Sequence, residues 1–358
     1  MSDVIVIGGG IAGTSVAARL APHANVTLLE GEEGLAYHAS GRSAALFEES
    51  YGAPSVKALN RASAQYHRDG GYLSPRGFLL LGTDENLDLF NHDLSDMAAE
   101  EIAVTEACAM VPILDPAKIT RAAYHADAQD IDTDRLVQDF AAVVRQNGGQ
   151  VLTRAQVTEI TQTLEGWRVH VGDDTFEAST LVNAAGAWVD HIAALAGVAP
   201  LGFTPLRRSM ARLPAPGGRD VSRWPMFFGA GESWYAKPDA GKLLVSPAEE
   251  DLVEPHDAWA EDMVLAEGIA RYQDHVTEDV TRVETTWAGL RTFAPDRVLV
   301  LGRDPRRPTF VWCAGQGGYG MQTSPAASQL CADLVLGRRP ELDADIVATL
   351  VPDRLCTD

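Results

Sequence analysis

The chain has 358 residues, 46% of them hydrophobic, which suits about two domains with sizeable cores. Its formal net charge of −21 at pH 7 argues against nucleic acid and anionic membranes as partners; solubility alone accounts for it, so no cationic substrate follows. Four scattered cysteines, Cys108, Cys313, Cys331 and Cys356, form no CxxC pair and exclude a zinc or dithiol motif, and the lack of a basic leader or an apolar run of about 18 residues leads us to expect a cytoplasmic protein with no transmembrane segment.

Val4 to Ile7 reads as a strand that runs directly into Gly8-Gly9-Gly10-Ile11-Ala12-Gly13. A helical stretch follows to Leu20, and a second apolar run, Val26 to Leu29, ends in Glu30-Gly31. Strand, glycine turn, helix and strand with an acid at its tip make the dinucleotide fingerprint. Gly8 allows the tight turn, Gly10 lets backbone approach a pyrophosphate, and Gly13 lets helix and strand pack closely. The helix start at Ile11 and Ala12 offers free N–H groups to phosphate. Glu30 suits ribose hydroxyls and repels a 2′-phosphate.

Next, His38-Ala39-Ser40-Gly41-Arg42-Ser43-Ala44, continued by Ala45, follows Glu30 closely and suits pyrophosphate and ring edge. His38 itself reads as a packing or capping residue. A helix starts near Ser55, and residues 73–128 mix short strands and helices. Asp132-Thr133-Asp134 caps a helix that stops at Gly148-Gly149. Short strands follow, where Val157 offers its backbone to an adenine. The last of them, Leu181-Val182-Asn183, enters Ala184-Ala185-Gly186-Ala187. Residues 200–290 are strand-rich, with a helical stretch over 261–275. Strands at Val298–Leu301 and Phe310–Trp312 lead into Gly315-Gln316-Gly317-Gly318-Tyr319-Gly320, and a final helix runs from about Gln322.

A nicotinamide site needs little beyond the first turn. The additional segments at His38–Ala45, Val157, Ala184–Ala187 and Gly317–Gln322 suit FAD, which is held along its whole length. A helix N-terminus at Gly317, Gly318, Tyr319, Gly320, Met321 and Gln322 would favour the reduced, anionic ring. Glycine turns at both ends of the chain imply an α/β fold. Its Rossmann-like FAD-binding domain comes in discontinuous segments, 1–73, 129–199 and 295–358. An inserted α+β substrate domain, 74–128 and 200–294, is built on a mostly antiparallel sheet.

Arg208 sits in a strand-like stretch, Phe203 to Leu213, on one face with Leu206 and Met210. A buried arginine needs a counter-charge, so a structural ion pair and a ligand carboxylate both fit. Arg291 follows a Trp-Ala-Gly turn, and Tyr51 and Tyr235 can add phenolic donors.

The segments Tyr37–Ala45, Val182–Trp188, Tyr235–Gly241, Thr286–Arg291 and Gln316–Thr323 make the chain similar to the D-amino-acid oxidase, glycine oxidase and sarcosine oxidase group of flavoproteins. By motif it most resembles the bacterial FAD-dependent D-arginine dehydrogenases. The resemblance implies that Tyr51, Arg208, Tyr235 and Arg291 hold a substrate α-carboxylate. It implies FAD contacts at Ala185, Gly186 and Trp188, and amine contacts at the Gly318 carbonyl and the Gln322 side chain. It further implies hydride transfer from Cα to flavin N5, with an imino acid that hydrolyses to a 2-oxo acid. Some relatives link FAD to a cysteine near Arg291. None lies there, so non-covalent FAD is expected.

Two departures bear on the substrate. Phe78 stands where the D-arginine dehydrogenases place the glutamate that reads a cationic side chain, and Leu46 stands where they place a histidine. With Met226 and Phe228 nearby, this implies an apolar or aromatic D-amino acid rather than D-arginine. Glu48 reads either as a solvated loop acid or as a contact to a polar group, with Glu49 the more solvent-facing of the two. Two alternatives stand beside this expectation: a secondary-amine oxidase of the sarcosine, glycine or D-proline type, and a flavin-holding subunit that needs a partner. The electron acceptor is oxygen, a quinone or another carrier.

Overall fold

The computed structural model describes residues 2–356. Residue 1 and residues 357–358, the outer ends of the expected FAD-binding segments, lie outside the described residues.

Two large sheets organise the chain. The first has eight strands around a parallel core. Strand Ser2–Ile7 lies between Val26–Leu29 and Asp174–Asn183, with Gln150–Leu152 and Phe310–Ala314 outside them, all parallel. Val157–Gln162, Trp167–Val171 and Val300–Arg303 add antiparallel edges. Val26–Leu29 and Phe310–Ala314 are buried throughout, which is why they read as unbroken apolar runs rather than alternating ones. Helix Ile11–Leu20 packs on one face with helices Thr133–Gln146 and Gly320–Leu336. Asp132 caps the second of these by accepting from Arg135 N at 3.1 Å. Its Leu136, Val137, Phe140, Ala141 and Val144 form the inward stripe.

The second sheet has nine strands and is antiparallel except where Met226–Gly229 runs parallel to Phe78–Gly82. Thr204–Leu213 pairs with Thr285–Phe293 along its whole length, and the sheet continues through Lys242–Ser246 and Tyr235–Asp239. A three-stranded sheet, Leu46–Phe47, Gln129–Ile131 and Leu73–Pro75, lies outside both. The fold is thus α/β, a Rossmann-like parallel sheet with an α+β part on a mostly antiparallel sheet. We propose the domain division on the same grounds, since each large sheet draws its strands from one of the two sets of segments. Strand Leu73–Pro75 straddles that boundary.

The last long helix starts at Gly320, two residues before the expected Gln322, and it is not final. Helix Ala344–Ala348 and a 3-10 turn, Pro352–Leu355, follow it. The parallel strands end together at Gly8, Glu30, Ala184 and Gly315, so their carboxyl ends share one edge of the sheet. That edge is where an open α/β sheet takes its ligand.

Candidate functional site

A continuous slot opens along this edge. Its outer part lies over Gly8, Gly10, Glu30, Gly31, Val157, Ala185, Gly186 and Trp188. Its inner part is lined by Ile11, Ala12, Gly317, Gly318, Gly320 and Met321. Ala39, Ser40 and Arg42 border both, and Ser43 and Ala44 border the inner part. The sequence accounts for the shape. Gly8 has φ +108°, and a Cβ there would stand 2.4 Å from Ala184 O. A Cβ on Gly13 would stand 1.8 Å from Gly8 O, so helix and strand touch through bare backbone. Glu30 closes the outer end, accepting from Gly9 N at 2.5 Å and Glu32 N at 2.8 Å.

Helix Ile11–Leu20 begins at Gly10 and helix Gly320–Leu336 at Tyr319, neither capped by its own N-cap side chain; the Ile11 N–H expected to be free donates instead to Ser40 Oγ at 3.0 Å. Their starts touch, since a Cβ on Gly320 would lie 3.2 Å from Ile11 Cγ2. Two positive helix ends therefore open on one slot. Buried Thr292 Oγ1 and Gln316 Oε1 line its inner part without hydrogen-bond partners, as a polar ligand would require. The residues of the slot fit FAD; the first helix start would hold its phosphates and the second would face its ring.

Five expected cofactor residues stand apart from the slot; two of them, Ala45 and Gln322, line only a neighbouring pocket. Gly13 shapes the turn behind the slot. Gly41 closes the preceding loop, donating to Ala36 O at 2.8 Å where a Cβ would stand 2.3 Å from that oxygen. Tyr319 packs its ring on Tyr51, 5.5 Å between centroids. Arg42 borders the slot, but its donors are spent on protein. It donates to Tyr37 O at 3.1 Å and to Ala258 O and Ala288 O at 2.9 Å, and it pairs with Asp257. It acts as a clasp between segments rather than as a free phosphate ligand. His38 pairs with Glu32 at 2.8 Å and leans on Trp188.

A second pocket adjoins the inner slot, sharing Ser43, Ala44, Arg208, Tyr235, Arg291 and Gly318 with it. It gathers Tyr51, Leu46, Glu48, Phe78, Met226, Phe228 and Gln322 as well, and Ala45 borders it rather than the slot. The pairings Leu206 with Arg291 and Arg208 with Gly289 put both arginines on one sheet face, two positions apart. Gly318 lacks the Cβ that would stand 3.2 Å from Arg291 Nη1. Arg208 is 8% exposed. Its Nη2 donates to Glu250 at 3.3 Å, while its buried Nε and Nη1 have no partner. Burial, and after it Arg291, pulls its pKa below the usual value, yet a guanidinium remains a cation. Two adjacent guanidiniums with uncommitted donors are built to receive an anion.

Farther along the same sheet face the lining is apolar. Phe78 and Phe228 touch at 5.5 Å between centroids, with Met226 aligned to Phe78. Glu48 is buried, not solvated. Its Oε1 accepts from Ser50 N and Oγ, and its Oε2 lies 2.8 Å from His125 Nε2. Glu49 pairs at the surface with Arg68. Gln322 Oε1 already accepts from Glu48 N at 3.1 Å.

Sequence reasoning missed Glu232 and Met97 in the pocket and His125 behind it. Glu232 accepts from Tyr51 Oη at 2.9 Å from a backbone with φ +50°. No periodicity marks it; the only local signal is Gly231 beside it, four residues before Tyr235. Met97 and His125 come from segments with no motif at all. Among the described residues no cluster of His, Cys, Asp and Glu could hold a metal, and no helix is long and apolar enough to cross a membrane.

The family model described as "FAD dependent oxidoreductase", DAO, matches residues 3–334. The chain belongs to this family. FAD is its cofactor. It is 25% identical over 368 residues to the glycine oxidase of Geobacillus kaustophilus (strain HTA426), covering 95% of this chain and 94% of that one. It is 22% identical over 375 residues to the mitochondrial dimethylglycine dehydrogenase of Homo sapiens, but spans 43% of that protein's length against 96% of its own. Among solved structures, glycine oxidase from Geobacillus kaustophilus matches with a TM-score of 0.82 at 21% identity, covering 96% of this chain and 97% of that one. L-amino acid deaminase from Proteus vulgaris matches with a TM-score of 0.75 at 19% identity, covering 97% and 92%. These likenesses establish the fold.

Proposed function

We propose that this FAD-dependent oxidoreductase oxidises amino acids, and that its substrate is a D-amino acid with an apolar or aromatic side chain. One observation carries the reading: Arg208 and Arg291, with donors to spare, share one sheet face with an apolar patch in a pocket that opens on the flavin slot. Arg208 and Arg291 grip the α-carboxylate and Tyr235 donates to it; Tyr51, whose proton Glu232 accepts at 2.9 Å, would turn its hydroxyl to the carboxylate when substrate binds. The side chain lies toward Phe78, Phe228 and Met226. Glu48 turns Oε1 to Ser50 and Oε2 toward His125, and Phe78 occupies the position from which a glutamate would read a guanidinium, so D-arginine is disfavoured. FAD supplies the acceptor for the Cα hydride. With the carboxylate gripped and the side chain on the apolar patch, the remaining Cα bonds are directed as well, and such positioning carries much of the rate. The imine then hydrolyses to a 2-oxo acid and ammonia. The D configuration rests on the resemblance of the four clamp residues to the D-arginine dehydrogenases.

The similarity to proteins named glycine oxidase and dimethylglycine dehydrogenase supports a second reading, a secondary-amine or glycine substrate at the same clamp. Both are tested by anaerobic bleaching of the flavin with a panel of D-, L- and N-methyl amino acids. Bleaching by D-phenylalanine, D-leucine or D-methionine is expected. Bleaching by sarcosine or glycine alone would overturn the first reading in favour of the second. Repeating the panel with oxygen, and then with a quinone, identifies the acceptor. Arg291→Met should retain flavin yet lose substrate affinity and reduction rate; wild-type kinetics in that variant would remove the clamp from the site.

A further inference from the structure

Behind the pocket lies a buried charged cluster that the clamp does not use. Lys237 is 8% exposed and sits two residues beyond Tyr235 on strand Tyr235–Asp239, hence on the same face. Its Nζ meets Asp130 Oδ1 at 2.8 Å and donates to Ala45 O at 2.8 Å and Ala44 O at 3.2 Å. Asp130 also holds Arg76, which approaches Oδ2 at 2.7 Å through Nε and 2.6 Å through Nη2. Arg76 Nη1 then donates to Trp224 O at 2.8 Å and Ser222 O at 2.9 Å.

Two cations thus share one carboxylate, and main-chain carbonyls absorb the excess charge. Those carbonyls belong to two walls of the site. Ala44 is common to the flavin slot and the substrate pocket, with Ala45 next to it. Trp224 leads into the strand that carries Met226 and Phe228. A buried ion pair is a poor source of stability, since apolar groups of similar volume often serve as well. Direction is what this one supplies. The described chain has no cis peptide, so the Ala44–Ala45 peptide carries its N–H opposite its C=O. With the Ala44 carbonyl drawn to Lys237, the Ala45 N–H is turned away from it. The next peptide is held in the same way through the Ala45 carbonyl.

We propose that Lys237, backed by Asp130 and Arg76, is a positioning residue that turns the Ala44–Ala45 peptide so that its N–H faces bound FAD beside the slot-lining Ala44 and the partition between slot and pocket keeps its shape. Fixed donors at a ring that gains negative charge favour its reduction. The inference rests on the cofactor, not on the identity of the substrate.

The test compares wild type with Lys237→Met, Lys237→Arg and Asp130→Asn. It reads the visible spectrum of bound FAD, FAD affinity, thermal midpoint, and flavin reduction by the best amino acid of the panel. Lys237→Met should bind FAD and melt within a few degrees of wild type, with shifted flavin bands. Its limiting reduction rate should fall about ten- to a hundredfold while the apparent substrate Kd changes far less. Lys237→Arg should recover most of the rate. Asp130→Asn should shift the bands in the same direction, and it decides the matter if Lys237→Met does not fold. A wild-type spectrum and rate in a variant that binds FAD would overturn the proposal. So would equal losses in the Met and Arg variants, or failure of both Lys237→Met and Asp130→Asn to fold, which marks a purely structural cluster. Should no D-amino acid reduce the wild-type flavin, the spectra still decide this proposal and only the substrate reading fails.

Discussion

The pocket's ionisable side chains divide by whether the protein already satisfies them. Glu48 accepts from Ser50 through Oε1 and has His125 beside Oε2, and Arg42 is held by Asp257 and three carbonyls. Arg208 keeps buried donors in reserve. Tyr51 is intermediate, buried and donating to Glu232. Burial first, then the Glu232 charge, raises its pKa well above the ordinary phenol value. Its unfolded value is the lower one, so the neutral phenol persists throughout the working range, and no loss of its donor follows as pH rises to about 10. Tyr51→Phe should therefore weaken carboxylate binding by about 1 kcal/mol, near fivefold in Kd, without changing the pH–rate profile between pH 6 and about 10. Steady-state kinetics across that range checks it. Disappearance of an alkaline limb in the variant would show that the phenol titrates there after all.

The elements differ in how openly their sequence declares them. The first strand, turn and helix were legible because each glycine answers a local steric demand. Gly13→Ala would drive a methyl group into Gly8 O, so this variant should lose FAD binding and several kcal/mol of stability, by flavin absorbance and thermal melting. The clasp at Arg42 was not legible. Its partners Asp257, Ala258 and Ala288 lie more than 200 positions away, and its place in a glycine-serine loop reads equally well as a phosphate site. The clasp ties the 257–258 segment over the outer slot, where His256 and Ala258 form part of the lining. The Arg42 hydrogen bond lowers the pKa of Asp257 against a smaller effect of burial. Such a carboxylate contributes fully above its unfolded pKa of about 3.9, and the contribution is lost as pH falls through the lower folded value. FAD dissociation should then be constant from pH 8 to about 5. Asp257→Asn should release FAD several-fold faster throughout that range. An acceleration of wild-type release between pH 6 and 5 would contradict the clasp.

At the scale of the whole molecule, the site exists only where the two large sheets meet. The dinucleotide end was readable because it is local, and Arg208 and Arg291 because an arginine on an apolar strand demands an anion. Glu232, Met97 and His125 were not, since their position depends on how the nine-stranded sheet brings Phe78–Gly82, Arg121–His125 and Met226–Gly229 side by side. A cofactor in this slot would touch both sheets: Gly10 and Ala184 on one side, Gly289 and Leu290 on the other. Its binding energy should accordingly stabilise the whole chain rather than one part of it. A ligand that binds only the folded state adds about 2.7 kcal/mol at a hundredfold excess over its Kd. Apoprotein titrated with FAD should melt in a single transition whose midpoint climbs with concentration. Two transitions, of which FAD moves only one, would show instead that the slot belongs to the parallel sheet alone.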